Sequence, residues 1–116
     1  MMAELLHSED GELMRRCLAT LIEGGDLHGE FYARLGVTES EAAELLMRWP
    51  RLDVQDVNSP ALVALYNALH VMMNGLELSD ADFERRVGVK RSRLVPIYRA
   101  LTIRRNRQSS SPPRAG

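Results

Sequence analysis

The sequence predicts an all-α fold, a compact bundle of five or six short helices followed by a disordered C-terminal tail. Three observations carry this. Aromatic residues are only 5% of the chain while apolar residues reach 45%, so the core rests on Leu, Val, Ile, Met and Ala. Polar capping residues precede runs in which apolar residues recur every three or four positions, and a Gly or Pro closes each run. The one brief alternation, residues 50–58, has no partner strand elsewhere and is expected to be a connecting loop.

In chain order, Ser8 is an N-cap, with Glu9, Asp10 and Glu12 complementing the helix dipole; Leu13, Met14, Cys17, Leu18, Leu21 and Ile22 form the buried stripe, and Gly24-Gly25 stops the helix. Asp26 is expected to cap a short second helix carrying Leu27, Phe31 and Leu35 and ending at Gly36. Thr38 and Glu41 form a capping box and Val37 and Ala42 a hydrophobic staple for a third helix, which runs through Leu45, Leu46 and Trp49 until Pro50. Ser59 with Pro60 at N1 opens a fourth helix bearing Leu62, Leu65, Tyr66, Leu69, Met72 and Met73, with Asn74-Gly75 at its end. Ser79 with Asp82, and Leu78 with Phe83, repeat the box and the staple for a fifth helix that stops at Gly88. The last helix is expected from Ser92, where Pro96 costs only a first-turn hydrogen bond, with Leu94, Ile97, Tyr98 and Leu101 inward. Residues 1–104 thus form a helical interaction domain. Residues 105–116, rich in Arg, Ser and Pro, cannot bury enough apolar surface to offset their ordering entropy, and are expected to be a disordered tail or interdomain linker.

Phe31, Leu35, Gly36 and Val37 align with Phe83, Val87, Gly88 and Val89, 52 residues further on, and a helix follows in both copies. Each copy reads as helix, Gly corner, helix, with Gly supplying the left-handed residue that closes the first helix and Val packing into the corner.

No run approaches the roughly 18 apolar residues that span a bilayer, and the N-terminus lacks a basic n-region and a long apolar h-region, so a cytoplasmic protein without membrane contact is expected. The single cysteine, Cys17, fits a reducing compartment and reads as a buried small hydrophobe. His7, His28 and His70 lie on separate elements, no paired His or Cys has metal-ligand spacing, and no Gly-rich phosphate loop follows a strand. No catalytic residue, metal, cofactor or small-molecule substrate is therefore assigned. His28 and His70 read as surface or half-buried residues, Met72-Met73 as core filler, and Trp49 as a core anchor or a half-exposed partner anchor.

The net charge of −1 conceals a strong asymmetry: residues 1–84 hold all 16 acidic residues and five Arg, a balance of −11, whereas residues 85–116 hold ten basic residues and no acid. Charge segregation of this kind bears on partners and association rates. It nominates Arg85, Arg86, Lys90, Arg91, Arg93 and Arg99 as a partner-binding cluster. Reversing Arg91 and Arg93 to Glu is expected to abolish complex formation with thermal stability nearly unchanged. The bland alternative is a solvated face balanced by the domain's own carboxylates.

The run from Leu78 to Val89, followed by Arg93-Leu94-Val95-Pro96-Ile97-Tyr98-Arg99-Ala100-Leu101, resembles the last two helices of a sterile alpha motif (SAM) domain, although the glycine that usually precedes the arginine of the final helix is absent and Pro96 is unusual there. The resemblance implies a SAM-like protein-interaction module that binds through the N-terminal part of its final helix. With the Ser/Pro/Arg tail as a linker, the chain also resembles the N-terminal domain of nitrogenase accessory factors of the gamma/NafY type; this implies a role in nitrogen fixation, docking a cofactor-insertion protein onto apo-dinitrogenase. The rival reading is a helix-turn-helix nucleic-acid-binding domain, with Lys90, Arg91, Arg93, Arg99, Arg104 and Arg105 along a recognition helix. The −11 balance of residues 1–84 opposes it by repelling phosphate.

Overall fold

A computed structural model describes residues 6–24, 27, 29–54, 56, 58–75 and 79–109. These form six α-helices and, among the described residues, no strand: α1 (Glu9–Gly24), α2 (Phe31–Leu35), α3 (Glu39–Arg48), α4 (Pro60–His70), α5 (Asp80–Val87) and α6 (Val95–Ser109). A π-helical turn, Val71–Gly75, continues α4, and a 3-10 turn, Arg91–Leu94, leads into α6. No helix among the described residues is long and apolar enough to cross a membrane.

Most boundaries follow from side chains that satisfy the free N–H groups of a first turn. Ser8 Oγ accepts from the Gly11 N–H, Ser59 Oγ from Leu62 and Ser79 Oγ from Asp82. The Thr38 box is complete, since Thr38 Oγ1 accepts from Glu41 N–H at 3.1 Å and Thr38 N–H donates to Glu41 Oε1 at 2.9 Å. The Ser79 box is only half-formed. Asp82, a methylene shorter than Glu, turns its carboxylate instead to Arg85 at 2.8 Å.

Three expected boundaries move. Helix α2 begins at Phe31 and not at Leu27, because Gly29 adopts φ 87°, a left-handed conformation that a right-handed helix cannot contain. The final α-helix starts at Val95, after Lys90 and the 3-10 turn, which leaves Pro96 in the first α-turn, where its missing N–H costs no helical bond. At the other end α6 runs past residue 104 to Ser109, so residues 105–109 continue the last helix. The guanidinium of Arg105 lies 4.7 Å from the centroid of the Tyr66 ring and ties that extension to α4. Asp26, His28, Leu78 and residues 110–116 lie outside the described residues.

Helix α1 packs against α3, α4 and α5, and α4 packs against α2 and α6, so α1 and α4 form the axis of the bundle. Ala61, Leu62, Ala64, Leu65, Ala68 and Leu69 form one broad buried face of α4, and the alanines let its neighbours approach closely. Met14, Cys17, Leu18 and Leu21 meet them from α1. Cys17 is fully buried, and burial pushes its thiol up to about 12. Met72 is buried and Met73 half-buried. Trp49 is half-buried, and its indole N–H donates to the Leu6 carbonyl at 3.3 Å.

The two Gly corners share one local structure. Gly36 (φ 81°) and Gly88 (φ 94°) each take the left-handed conformation and donate to the carbonyl four residues back, Tyr32 and Glu84, at 2.8 Å. Phe31 and Phe83 are buried in the equivalent places, as are Leu35 and Val87. Val37 is buried and Val89 only half-buried.

Candidate functional site

The basic segment takes its shape from the second Gly corner, which folds α5, the 3-10 turn and α6 back onto the bundle. Each of its cations then meets a different neighbour. Arg85 is exposed on α5 and pairs with Asp82 one turn earlier at 2.8 Å. Arg86 donates to the Thr20 carbonyl at 3.3 Å, beside the C-terminal end of α1, where the helix dipole favours a cation. Arg91 pairs with Asp80 at 2.8 Å, and its guanidinium lies 5.1 Å from the centroid of the buried Phe83 ring. Arg93 reaches 83 residues back along the chain to Asp10 at 2.8 Å, in the negatively charged first turn of α1.

Four of the six nominated residues therefore engage the protein's own groups, three of them carboxylates. Lys90 and Arg99 are exposed and have no ion pair among the described residues. The six do not make one open patch: Arg86 lies beside Thr20, Glu23 and Gly24, Arg93 beside Glu9 and Glu12, and Lys90 beside Asp80 and Glu84.

Spacing alone did not single out the outer stripe of α6. Pro96, Arg99, Ala100, Ile103 and Arg107 recur at three- and four-residue intervals and are all exposed. Ile103 is 47% exposed, and the only other large apolar residues as open among those described are Tyr32 and Met47. Residues 85–109 contain no acid, so nothing on α6 itself neutralises this stripe. The three- and four-residue spacing is legible in the sequence, but which stripe of α6 faces outward is set by the packing of α6 on α4.

On the opposite flank α6 faces α4 through a polar aromatic cluster. The Tyr66 and Tyr98 rings stack with centroids 5.0 Å apart, and their hydroxyls are 3.1 Å apart. His70, exposed on α4, brings Nδ1 within 3.0 Å of the Tyr98 hydroxyl, and Thr102 donates to the Tyr98 carbonyl at 2.9 Å. The hydrogen bond to Tyr66 and partial burial raise the Tyr98 pKa above the ordinary phenol value. Among the described residues no three His, Cys, Asp or Glu side chains converge.

These features define an all-α helical bundle with an acid-free final helix. No protein-family model, no curated protein and no solved structure matches the chain, so the SAM-like resemblance stands on its quoted residues alone.

Proposed function

We propose that this chain is a non-enzymatic protein–protein interaction domain whose binding face is the outer stripe of α6, with Arg99 and Ile103 at its centre and Lys90 at the turn leading into it. One observation carries the reading: a half-exposed Ile103 sits one helical turn from Arg99 on a helix with no acidic residue. An apolar residue flanked by cations suits a partner that presents carboxylates around an apolar anchor, with charge steering the encounter and apolar burial holding it. Arg86 and Arg93 tie α5 and the turn to α1, Arg91 ties the turn to α5, and Arg85 pairs within α5.

Apo-dinitrogenase, the partner that the resemblance implies, is the first protein to test. Titration calorimetry with wild type and with the Arg99→Glu/Ile103→Ala variant is expected to show binding weakened by more than about tenfold in the variant, the effect of losing one hot-spot contact. Equal affinity of the two proteins refutes the α6 face.

The nucleic-acid reading is weaker on physical grounds. A recognition helix presents its N-terminal residues to the groove. Here Arg91 and Arg93 at that end are paired with Asp80 and Asp10, whose carboxylates would repel phosphate.

A further inference from the structure

We propose that the cleft between α4 and α6 binds a carboxylate carried on an apolar body about the size of one amino-acid side chain. The proposal does not rest on the interaction reading, because the cleft opens on the flank of α6 that carries Leu101 and Arg105, away from Arg99 and Ile103. Its volume is about 200 Å³. That is below the several hundred Å³ of sites for drug-sized ligands and suits a single side chain with its attached carboxyl group.

Leu62, Val63 and Leu101 form its apolar wall. Leu62 and Leu101 are buried core residues, so this wall is rigid and pre-formed. Arg105 supplies the cation. Its contact with the Tyr66 ring, 4.7 Å from guanidinium carbon to centroid, fixes the side chain at low entropic cost, and the in-plane N–H donors remain for a carboxylate. No carboxylate among the described residues forms an ion pair with Arg105, and the described lining contains no acid.

Two amides complete the rim. Asn67 uses its Nδ2–H to hold the Leu35 carbonyl at 3.1 Å, which fixes the amide plane and leaves its oxygen as an acceptor for a ligand N–H. Asn58 is positioned by its own backbone N–H, which donates to Asp56 Oδ1 at 2.9 Å and so engages the nearest carboxylate in sequence. Cation and apolar wall match an acylated C-terminal residue or a free branched aliphatic acid, which share the same carboxylate-on-hydrocarbon chemistry, and the amide acceptor has an N–H to meet only in the former.

The test is an amide-resolved NMR titration of the whole chain with three probes: N-acetyl-leucine, 4-methylpentanoate and, as the uncharged control, N-acetyl-leucinamide. Shifts are expected to concentrate at residues 62–67 and 101–105 with at least one of the two carboxylates. The amide control, and N-acetyl-leucine or 4-methylpentanoate added to Arg105→Gln, are expected to bind about tenfold more weakly, the loss that accompanies a missing charge-assisted contact. Arg105 is exposed, so a well-dispersed spectrum of the variant separates lost binding from lost folding. Tighter binding of N-acetyl-leucine identifies a peptide terminus as the source, and equal or tighter binding of 4-methylpentanoate identifies a free acid. Absence of localised shifts with both carboxylates, or equal affinity of Arg105→Gln and wild type, overturns the proposal.

Discussion

The side-chain amide of Asn67 on α4 donates to the carbonyl of Leu35, the last residue of α2, at 3.1 Å, and Arg16 on α1 does the same for Val87, the last residue of α5, at 3.3 Å. Each Gly corner is thus sealed from outside by a donor on one of the two axial helices. A carbonyl at a helix C-terminus has no intrahelical partner, and each donor supplies one.

Removing these donors is expected to separate the two corners energetically. Asn67→Leu leaves the Leu35 carbonyl against an apolar neighbour and is expected to cost about 1–3 kcal/mol, the desolvation penalty of an unsatisfied group. Arg16→Met is expected to cost less, about 0.5–1.5 kcal/mol, because Arg16 is exposed where Asn67 is half-buried, so water can replace the guanidinium more readily. Urea denaturation of the two variants checks the order.

Alanine at either corner glycine forces a Cβ into left-handed backbone, a cost of about 1–2 kcal/mol per residue. At Gly36 the added Cβ also meets Val63 Cγ1 at 3.1 Å, whereas at Gly88 it meets Arg16 Nη1, the end of a flexible side chain, at 3.2 Å. Gly36→Ala is therefore expected to lower the melting temperature more than Gly88→Ala. The reverse order would show that the two corners are not packed as described.

The sequence alone predicts that Arg91→Glu/Arg93→Glu leaves stability nearly unchanged, and the pairs with Asp80 and Asp10 alter that expectation. Reversal removes the two 2.8 Å ion pairs and replaces each attraction by repulsion between neighbouring carboxylates. The double variant is expected to melt measurably lower, with partial recovery in high salt because partly exposed pairs are screened. A double-mutant cycle on Asp10 and Arg93 is expected to give a coupling of about 0–1 kcal/mol.

Burial holds the Cys17 thiol at about 12, above its ordinary value of 9.0. The folded state therefore keeps a proton that the unfolded chain releases. The corresponding stability is complete below pH 9 and is lost as pH rises from 9 toward 12, with a limiting slope of about 1.4 kcal/mol per pH unit. Comparison with Cys17→Ala isolates this slope from the tyrosines and Lys90. Native Cys17 is also expected to resist thiol reagents at pH 8 until the protein unfolds, since the reactive species is the thiolate.

The local grammar of the chain settled most of the fold. Ser8, Thr38, Ser59 and Ser79 can be read as caps because each acts on an N–H only three residues away. Gly36 and Gly88 can be read as stops because a left-handed residue is a property of one backbone unit. Acid-free residues 85–109 were equally visible as a fact of composition. Tertiary structure decided which of those cations face outward. Arg93 finds Asp10 across 83 residues and Arg86 finds Thr20 across 66, and no local pattern encodes either meeting. The same holds for Tyr66, Tyr98 and Arg105, which the sequence placed in separate helices and a tail, and which only the packing of α6 on α4 brings together around a cleft. Caps and stops are short-range contests between a side chain and its own backbone. A charged or aromatic neighbourhood depends on which helices touch, and that is fixed by the whole core.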